Sequence, residues 1–253
     1  MRVLFLGDIV GKPGRRAVVQ AIRSIRLELG LDLVLANAEN ASGGLGLIPK
    51  NAQQLHESGI DILTSGNHIW KHKEIYPFLD ASPWLLRPAN YPPEAPGRGF
   101  GIFAVGAVQV AVINLLGRTF MKPVDCPFRA ADAVLSELDG RFRVILLDFH
   151  AEATSEKKAL GYYLDGRVSC LLGTHTHVQT NDAQILEKNT GYLTDIGMCG
   201  PHPSVLGMDP GVVQKGFVQG LPQRFVLAQG RVLLQGALVD IDERDGNPRS
   251  VEV

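Results

Sequence analysis

Cysteine is scarce in this sequence. Cys126, Cys170 and Cys199 are the only three among 253 residues, and none belongs to a CxxC pair. A disulfide framework normally uses an even set of cysteines, and a structural thiolate zinc site uses closely spaced pairs. The sequence therefore indicates neither kind of crosslink, and its few thiols favour a reducing cytoplasm as the compartment.

Long apolar runs are missing too, since no stretch approaches the ~18 residues that indicate a membrane-spanning helix. Met1 and Arg2 lead directly into the apolar strand that follows, which leaves no room for the charged and apolar regions of a secretory signal. We therefore expect a soluble, intracellular protein with no membrane partner.

An excess of basic charge is also absent. The formal net charge is −1, with 25 Lys and Arg against 26 Asp and Glu, whereas proteins that bind long nucleic acids carry a strongly basic face. The sequence thus has no strong nucleic-acid footprint. A small anionic substrate is still compatible with it, because the charge of a bound metal can outweigh the net charge locally. The oligomeric state is not fixed by the sequence, and a homo-oligomer is left open.

The glycine motifs of nucleotide-binding proteins are lacking. Gly7 and Gly11 enclose three residues where a P-loop has four, and Pro13 stands where a hydroxyl residue should follow Lys12. No GxGxxG spacing and no GxSxG nucleophile elbow occur. The glycine-rich segment 40–46 is therefore interpreted as a flexible loop rather than as a nucleotide cradle.

The sequence does contain the alternation of strands and helices typical of an α/β protein. With 45% hydrophobic and 20% charged residues, residues 1–253 are enough for a single domain. The main predicted strands are 3–6, 32–36, 61–64, 100–104, 108–115, 143–148 and 168–172. The predicted helices lie near 14–29, 49–58, 71–79, 128–138 and 155–160. A second, more antiparallel sheet is predicted from short strands near 183–186, 192–194, 224–228 and 231–240.

Five of the apolar runs end in polar clusters of metal-ligand type. The clusters contain Asp8, Glu39 with Asn40, Asn67 with His68, His150, and residues 174–177. Parallel strands that are buried on both faces have such apolar sequences, and open α/β sheets bind ligands at the carboxyl ends of their strands. We expect the clusters to meet at one edge. Carboxylate, amide and imidazole ligands without thiolate suit Mn, Fe, Co, Ni or Zn, so the sequence predicts a metalloenzyme.

Individual members of these clusters could instead have purely structural roles. Asp8 could cap the helix that follows it, and Asn40 and Asn67 could form turns. His175 and His177, however, alternate with threonines just after a strand, so both imidazoles should point the same way. The remaining histidines lie outside the clusters and are His56, His72 and His202. The first two of these are interpreted as solvated helix residues.

The order of these motifs resembles that of the calcineurin-like metallophosphoesterases. The elements that carry the resemblance are Asp8, the acidic cluster of Glu39 and Asn40, Gly66-Asn67-His68, His150 and Gly173 to His177. A closer resemblance, over nearly the whole chain, is to the YmdB-like family, through segments 7–11, 38–40 and 195–209. The sequence departs from the broader superfamily pattern at three places. Val10 replaces a usual histidine, Glu39-Asn40 replaces a bridging aspartate, and Ile69 replaces an acidic residue.

The resemblance implies a four-layer α/β/β/α sandwich with mixed sheets, two metal ions, and hydrolysis of small phosphodiesters such as 2′,3′-cyclic nucleotides. It implies that one metal is held by Asp8, Glu39, Asn40 and His177. The other metal would be held by Glu39, Asn67, His150 and His175. Glu39 would bridge the two ions. Iron or manganese is the expected occupant, and ligand type alone does not exclude zinc.

The mechanism expected for such a site is in-line attack on phosphorus by a hydroxide held between the metals. His68, next to a ligand, would protonate the leaving alkoxide as general acid. Two alternatives stay open at this point. One is a phosphomonoesterase, and the other is a metal-bound regulatory or RNA-associated protein whose hydrolysis is incidental.

Overall fold

The structure is a computed structural model and describes residues 1–253. Six α-helices and fourteen strands alternate along the chain. The helices are α1 (Gly11–Leu29), α2 (Pro49–Ser58), α3 (Ile75–Ala81), α4 (Pro127–Leu138), α5 (Thr154–Tyr163) and α6 (Pro210–Gln219). The strands are β1 (Arg2–Leu6), β2 (Asp8–Ile9), β3 (Leu33–Asn37), β4 (Ile62–Thr64), β5 (Phe100–Val105), β6 (Val108–Leu116), β7 (Val144–His150), β8 (Cys170–Thr174), β9 (Gln184–Ile185), β10 (Gly191–Leu193), β11 (Met198–His202), β12 (Arg231–Leu234), β13 (Gly236–Ile241) and β14 (Pro248–Glu252).

Two large mixed sheets form the frame of the protein. The first has the order β14-β13-β1-β3-β4, with β1, β3 and β4 parallel and β13 antiparallel to β1. The second has the order β5-β6-β7-β8-β10-β9, with β6, β7, β8 and β10 parallel. A third, small sheet of β12-β11-β2 lies beside them. The predicted hairpin of β5 and β6 is confirmed.

Alternation along the strands divides the apolar residues among three cores. In β1, Val3 and Phe5 belong to the core between the sheets, whereas Leu4 and Leu6 belong to a core shared with α1, α2 and α3. In β7, Leu146 faces the same central core, and the residues on either side pack against α4 and α5. Successive side chains of a strand point to opposite faces of its sheet. Each large sheet therefore packs on the other sheet with one face and on helices with the other, which gives the four layers α/β/β/α that the resemblance implies.

Helix α1 shows how local sequence determines one of these layers. Val18 and Ile22 are buried on its inner face, and Gly30 ends it in the left-handed conformation, with a φ of 61°. The helix begins at Gly11, three residues before the predicted start. None of the helices is both long and apolar enough to cross a lipid bilayer.

The C-terminal third differs from its predicted arrangement. Segment 224–228 is not a strand, and α6 was not predicted. The predicted strand 231–240 is divided at Gln235 into β12 and β13, which belong to different sheets. β13 and β14 extend the first sheet rather than forming a second one, because β13 pairs antiparallel with β1 at the opposite end of the sequence. The second sheet instead comes mainly from the middle of the chain.

Two histidines predicted to be solvated helix residues are half-buried. His56 stacks on Trp84, with ring centroids 4.1 Å apart, and its Nδ1 lies 2.9 Å from the Ile60 carbonyl oxygen. His72 follows a short 3₁₀ helix, Ile69–Lys71, and precedes α3, with its Nε2 3.2 Å from the Leu45 carbonyl oxygen. The predicted helix 71–79 is therefore split into these two pieces.

Candidate metal centre

All the predicted site residues come together at one edge of the sandwich. They come from three sheets: Asp8 lies on β2, Glu39 and Asn40 follow β3, and Asn67 and His68 follow β4. His150 is the last residue of β7, and the two remaining histidines follow β8. The expectation that the carboxyl ends of the strands meet is confirmed, with the two facing sheets and the small sheet all contributing.

One half of the cluster is built around His150. Its Nε2 lies 3.1 Å from Glu39 Oε1, 3.0 Å from His175 Nδ1 and 3.2 Å from Asn67 Oδ1. Glu39, His150 and His175 can offer ligand atoms that all lie within 4.8 Å of one another. Two imidazole nitrogens at 3.0 Å need a shared proton or a shared cation between them.

The other half is built around Asp8. Its Oδ1 is buried and accepts no hydrogen bond, and it lies 3.7 Å from His177 Nε2. Asn40 Nδ2 is 3.3 Å from the same His177 nitrogen. A buried carboxylate oxygen without a partner is costly, and a bound cation removes that cost.

Glu39 lies between the two halves. Its side chain is fully buried, and Oε1 approaches His150 on one side and accepts from Asn40 Nδ2 at 3.2 Å on the other. Its Oε2 accepts the backbone N–H of His68 at 2.9 Å. One carboxylate is therefore within reach of both halves.

Outer partners turn one nitrogen of each histidine toward the centre. His177 Nδ1 donates to the Leu206 carbonyl oxygen at 3.1 Å, and His175 Nε2 lies 3.1 Å from a Glu152 carboxylate oxygen. His150 Nδ1 lies 2.9 Å from the Thr174 hydroxyl, which itself donates to Asp148 at 2.7 Å. Such partners fix the ring orientation and the tautomer of metal-binding histidines.

The pKa values of the buried side chains show that the site favours positive charge beside its carboxylates. Burial alone would raise the pKa of Asp8 and Glu39, but the neighbouring histidines hold both values below the ordinary range. Burial would likewise lower the pKa of His150, but the Glu39 and Asp8 carboxylates raise it to about 9. Burial and the His150 charge lower the pKa of His175 to about 3. Burial would also lower the pKa of His177, but the Asp8 and Glu39 carboxylates raise it.

The backbone of the histidine loop is held in an unusual conformation. His175 and His177 have positive φ angles of 98° and 61°, which non-glycine residues adopt only where the surroundings impose it. Buried Lys157 donates to the Thr174 carbonyl oxygen and to Asp195 Oδ2, both at 2.7 Å. The same Asp195 oxygen accepts from the Thr176 N–H at 3.1 Å and the Thr176 hydroxyl at 2.8 Å. This ion pair fixes the peptide groups on both sides of His175.

Gly66 lets the β4 loop pass close to the ligands. A Cβ at this position would collide with the His150 ring and with Glu39 Oε2. Only glycine can therefore occupy the position without displacing two proposed ligands.

His68 borders the cluster without lying inside it. Its Nδ1 is 2.9 Å from Asn40 Oδ1 and 3.0 Å from Glu39 Oε1, and its side chain is 34% exposed. The ring lines a cavity of about 460 Å³ together with Glu39, His175 and His177. This size is in the range of small-molecule sites.

Several supporting residues were not predicted from the sequence. Asn37 Nδ2 donates to Asp148 at 3.0 Å, and the Asn37 side-chain oxygen accepts the Glu39 N–H at 3.1 Å. Burial raises the pKa of Asp148 to about 6 even though it accepts three side-chain hydrogen bonds. The available signal was a polar residue inside an apolar strand, as Asp148 is in β7 and Asn37 is at the end of β3. Lys157 and Asp195 gave no comparable local signal.

The donor set suits a metal group. Carboxylate, amide and imidazole atoms converge, and a cation would satisfy the unpartnered Asp8 oxygen. The same overall fold occurs in a solved structure described as a putative 5′-nucleotidase from Staphylococcus aureus, which superposes with a TM-score of 0.60 at 15% identity and covers 100% of this chain and 53% of that one.

The chain belongs to the YmdB-like protein family, whose model matches residues 4–253. A 2′,3′-cyclic-nucleotide 2′-phosphodiesterase of Bacillus subtilis (strain 168) is 47% identical over 252 residues, which cover 100% of this chain and 96% of that protein. A hypothetical protein from Thermus thermophilus has a solved structure that superposes with a TM-score of 0.93 at 44% identity, covering 100% of this chain and 97% of that one. A structure described as a novel phosphatase, from Mycoplasma pneumoniae, also has a TM-score of 0.93, at 32% identity and with 100% and 92% coverage.

Proposed function

We propose that the protein is a metal-dependent phosphodiesterase that hydrolyses small phosphodiesters, 2′,3′-cyclic nucleotides in particular. The observation that supports it most strongly is the placement of buried Glu39 between two sets of candidate ligands. The activity of the Bacillus subtilis relative, which is similar over the full length, supports the choice of substrate.

The proposed ligands divide into two groups that share Glu39. The first group is Asp8, Glu39, Asn40 and His177, and the second is Glu39, Asn67, His150 and His175. In the structure the Asn40 amide turns Nδ2 toward His177, so ligation through its oxygen requires a rotation of the amide by half a turn. The oxygen-rich ligand set supports iron or manganese, and zinc accepts the same ligands. When bound, two such ions supply an activated water and positive charge for the phosphoryl oxygens.

His68 is the proposed general acid. The contact of Nδ1 with Glu39 fixes its ring at the wall of the cavity, and Nε2 has no hydrogen-bonding partner in the protein. A proton held at Nε2 can therefore pass to the leaving oxygen of the substrate. Glu39 positions the ring for this transfer.

The domain organisation and compartment are proposals as well. The three cores are connected by strands shared between layers, which supports residues 1–253 as one domain. All three cysteines are free thiols, which supports the cytoplasm. A regulatory role through RNA would require salt-sensitive RNA binding that survives the loss of His68.

A phosphomonoesterase is the second candidate, because the Mycoplasma pneumoniae relative is described as a phosphatase. Steady-state kinetics on matched 2′,3′-cyclic and 2′- or 3′-monophosphate nucleotides, with metal-replete protein, separates the two. We expect a higher kcat/KM for the cyclic diesters. Chelator-treated protein serves as the control. A clear advantage for the monoesters would refute the phosphodiesterase proposal.

A further inference from the structure

The cavity at the metal centre is lined by two chemically different groups of residues. One group is polar and consists of Glu39, His68 and the histidine loop. The other group is an apolar wall, which we define as Leu45, Leu206, Met208, Phe217 and Phe225. Phe217 lies on α6, and the Leu206 carbonyl oxygen orients His177. The wall is thus attached directly to the proposed ligands.

The wall exposes aromatic surface at the cavity. Phe217 is 84% exposed and Phe225 is 60% exposed. Single exposed apolar residues are ordinary on protein surfaces, but apolar residues grouped around a polar cleft are typical of a ligand site. Two exposed rings among the residues that line the cavity provide stacking surfaces for a flat ligand.

Hydrogen-bonding side chains are nearly absent from the wall. Its side chains contain no donor, and their one heteroatom is the Met208 sulfur, a weak acceptor. The backbone N–H and C=O groups of Val205 and Met208 are bonded to each other at 2.9 Å. Such a surface can stack on a base but cannot distinguish one base edge from another.

We infer that the apolar wall is the subsite for the nucleobase of the substrate, and that it accepts purine and pyrimidine bases alike. This inference rests on the proposed function, which places the phosphate against the polar group of lining residues. A cyclic nucleotide combines a charged phosphate with a flat base, which matches the two kinds of residue that line the cavity. The cavity of about 460 Å³ has a volume typical of sites for ligands of this size.

The test compares nucleotides with a base-free substrate. The substrates are the 2′,3′-cyclic phosphates of adenosine, guanosine, cytidine and uridine, together with methyl riboside 2′,3′-cyclic phosphate. For Phe217→Ala and Phe225→Ala in the metal-replete enzyme, we expect the ratio of kcat/KM for each nucleotide to that for the base-free substrate to fall by about 5- to 100-fold, mainly through KM. The wild-type enzyme should use all four nucleotides with similar kcat/KM.

Two variants outside the cavity serve as controls. Phe120 is 90% exposed, and Val218 neighbours Phe217 on α6 and is 87% exposed, but neither lines the cavity. Phe120→Ala and Val218→Ala should keep the wild-type ratio. An unchanged ratio in the Phe217 and Phe225 variants would overturn the subsite, and so would a strong wild-type preference for one base. Failure of the wild-type enzyme to hydrolyse any cyclic phosphate would refute the proposed function itself.

Discussion

At the scale of single residues, Glu39 is the group that joins the two halves of the candidate site. Glu39→Ala should lose both metal ions and the hydrolytic activity, because the same carboxylate contacts the His150 side and the Asn40 side. Elemental analysis of desalted protein measures the loss. Glu57→Ala, on the exposed face of α2, is the matched control. A Glu39→Ala protein that kept two ions and full activity would refute the bridging role.

His68 tests the chemistry rather than the assembly of the site. His68→Ala should keep its metals but lose about 10² to 10⁴ in rate on substrates with a poor leaving group. Activated aryl esters should be affected much less, because their leaving anions are stable without a proton. Rates on a leaving-group series, with metal content measured in parallel, reveal this difference. The acid role is ruled out by an equal loss across the whole series with the metals retained.

Residue types at strand ends made the ligand set predictable, and their proximity in the structure agrees with that prediction. The supporting residues were harder to predict from the sequence. Asp148 and Asn37 act through contacts with residues far away in the sequence, and the two are themselves 111 residues apart. Lys157 and Asp195 belong to elements whose packing, not their local pattern, creates the buried ion pair. The roles of the ligands and of His68 remain predictions until the variants above are measured.

At the scale of elements, α5 and the segment after β10 hold the histidine loop in place through Lys157 and Asp195. Asp195→Ala should destabilise the fold by about 3–5 kcal/mol, because it leaves a buried ammonium whose remaining partner is the Thr174 carbonyl oxygen. Lys157→Met should cost less, since Asp195 keeps its bonds from Thr176 and Gly197. Denaturant unfolding gives the free energies.

The same variants should also weaken metal binding, because the ion pair fixes the peptide groups around His175. A chelator competition titration measures this affinity in the folded proteins. Lys158→Met is the control, since Lys158 is the next residue but its side chain is half-exposed. Stabilities and metal affinities equal to those of the Lys158 variant would show that the ion pair does not position the loop.

The elements of the first half were predictable because local periodicity indicates each strand and helix. Helix α6 was not, because its sequence contains two glycines and three valines, which have low helix propensity. The division of segment 231–240 at Gln235 was also not predictable, since the apolar residues on both sides form one continuous pattern in the sequence. In the structure, β12 pairs with Cys199 in the small sheet, whereas β13 pairs with Leu6 in the first sheet.

At the scale of the whole molecule, the site depends on the convergence of three sheets. The second sheet contributes His150 and the histidine loop, the first contributes the loops after β3 and β4, and the small third sheet contributes Asp8. The chain closes the first sheet with its last strands, and the backbone of Ile241 bonds to that of Met1. Such long-range pairing cannot be read from a local pattern, which is why the sequence indicated the layers but assigned segment 231–240 to the second sheet, although β12 and β13 belong to the other two.

The central claim is that two metal ions per chain support phosphodiester hydrolysis at this site. The most direct measurement is reconstitution of chelator-stripped protein with iron or manganese, with bound metal and hydrolysis of a 2′,3′-cyclic nucleotide measured on the same samples. Activity should rise with metal content and reach its plateau at about two ions per chain, in keeping with a two-metal phosphoryl-transfer site. Full activity in metal-free protein, or a plateau at one ion, would contradict the claim.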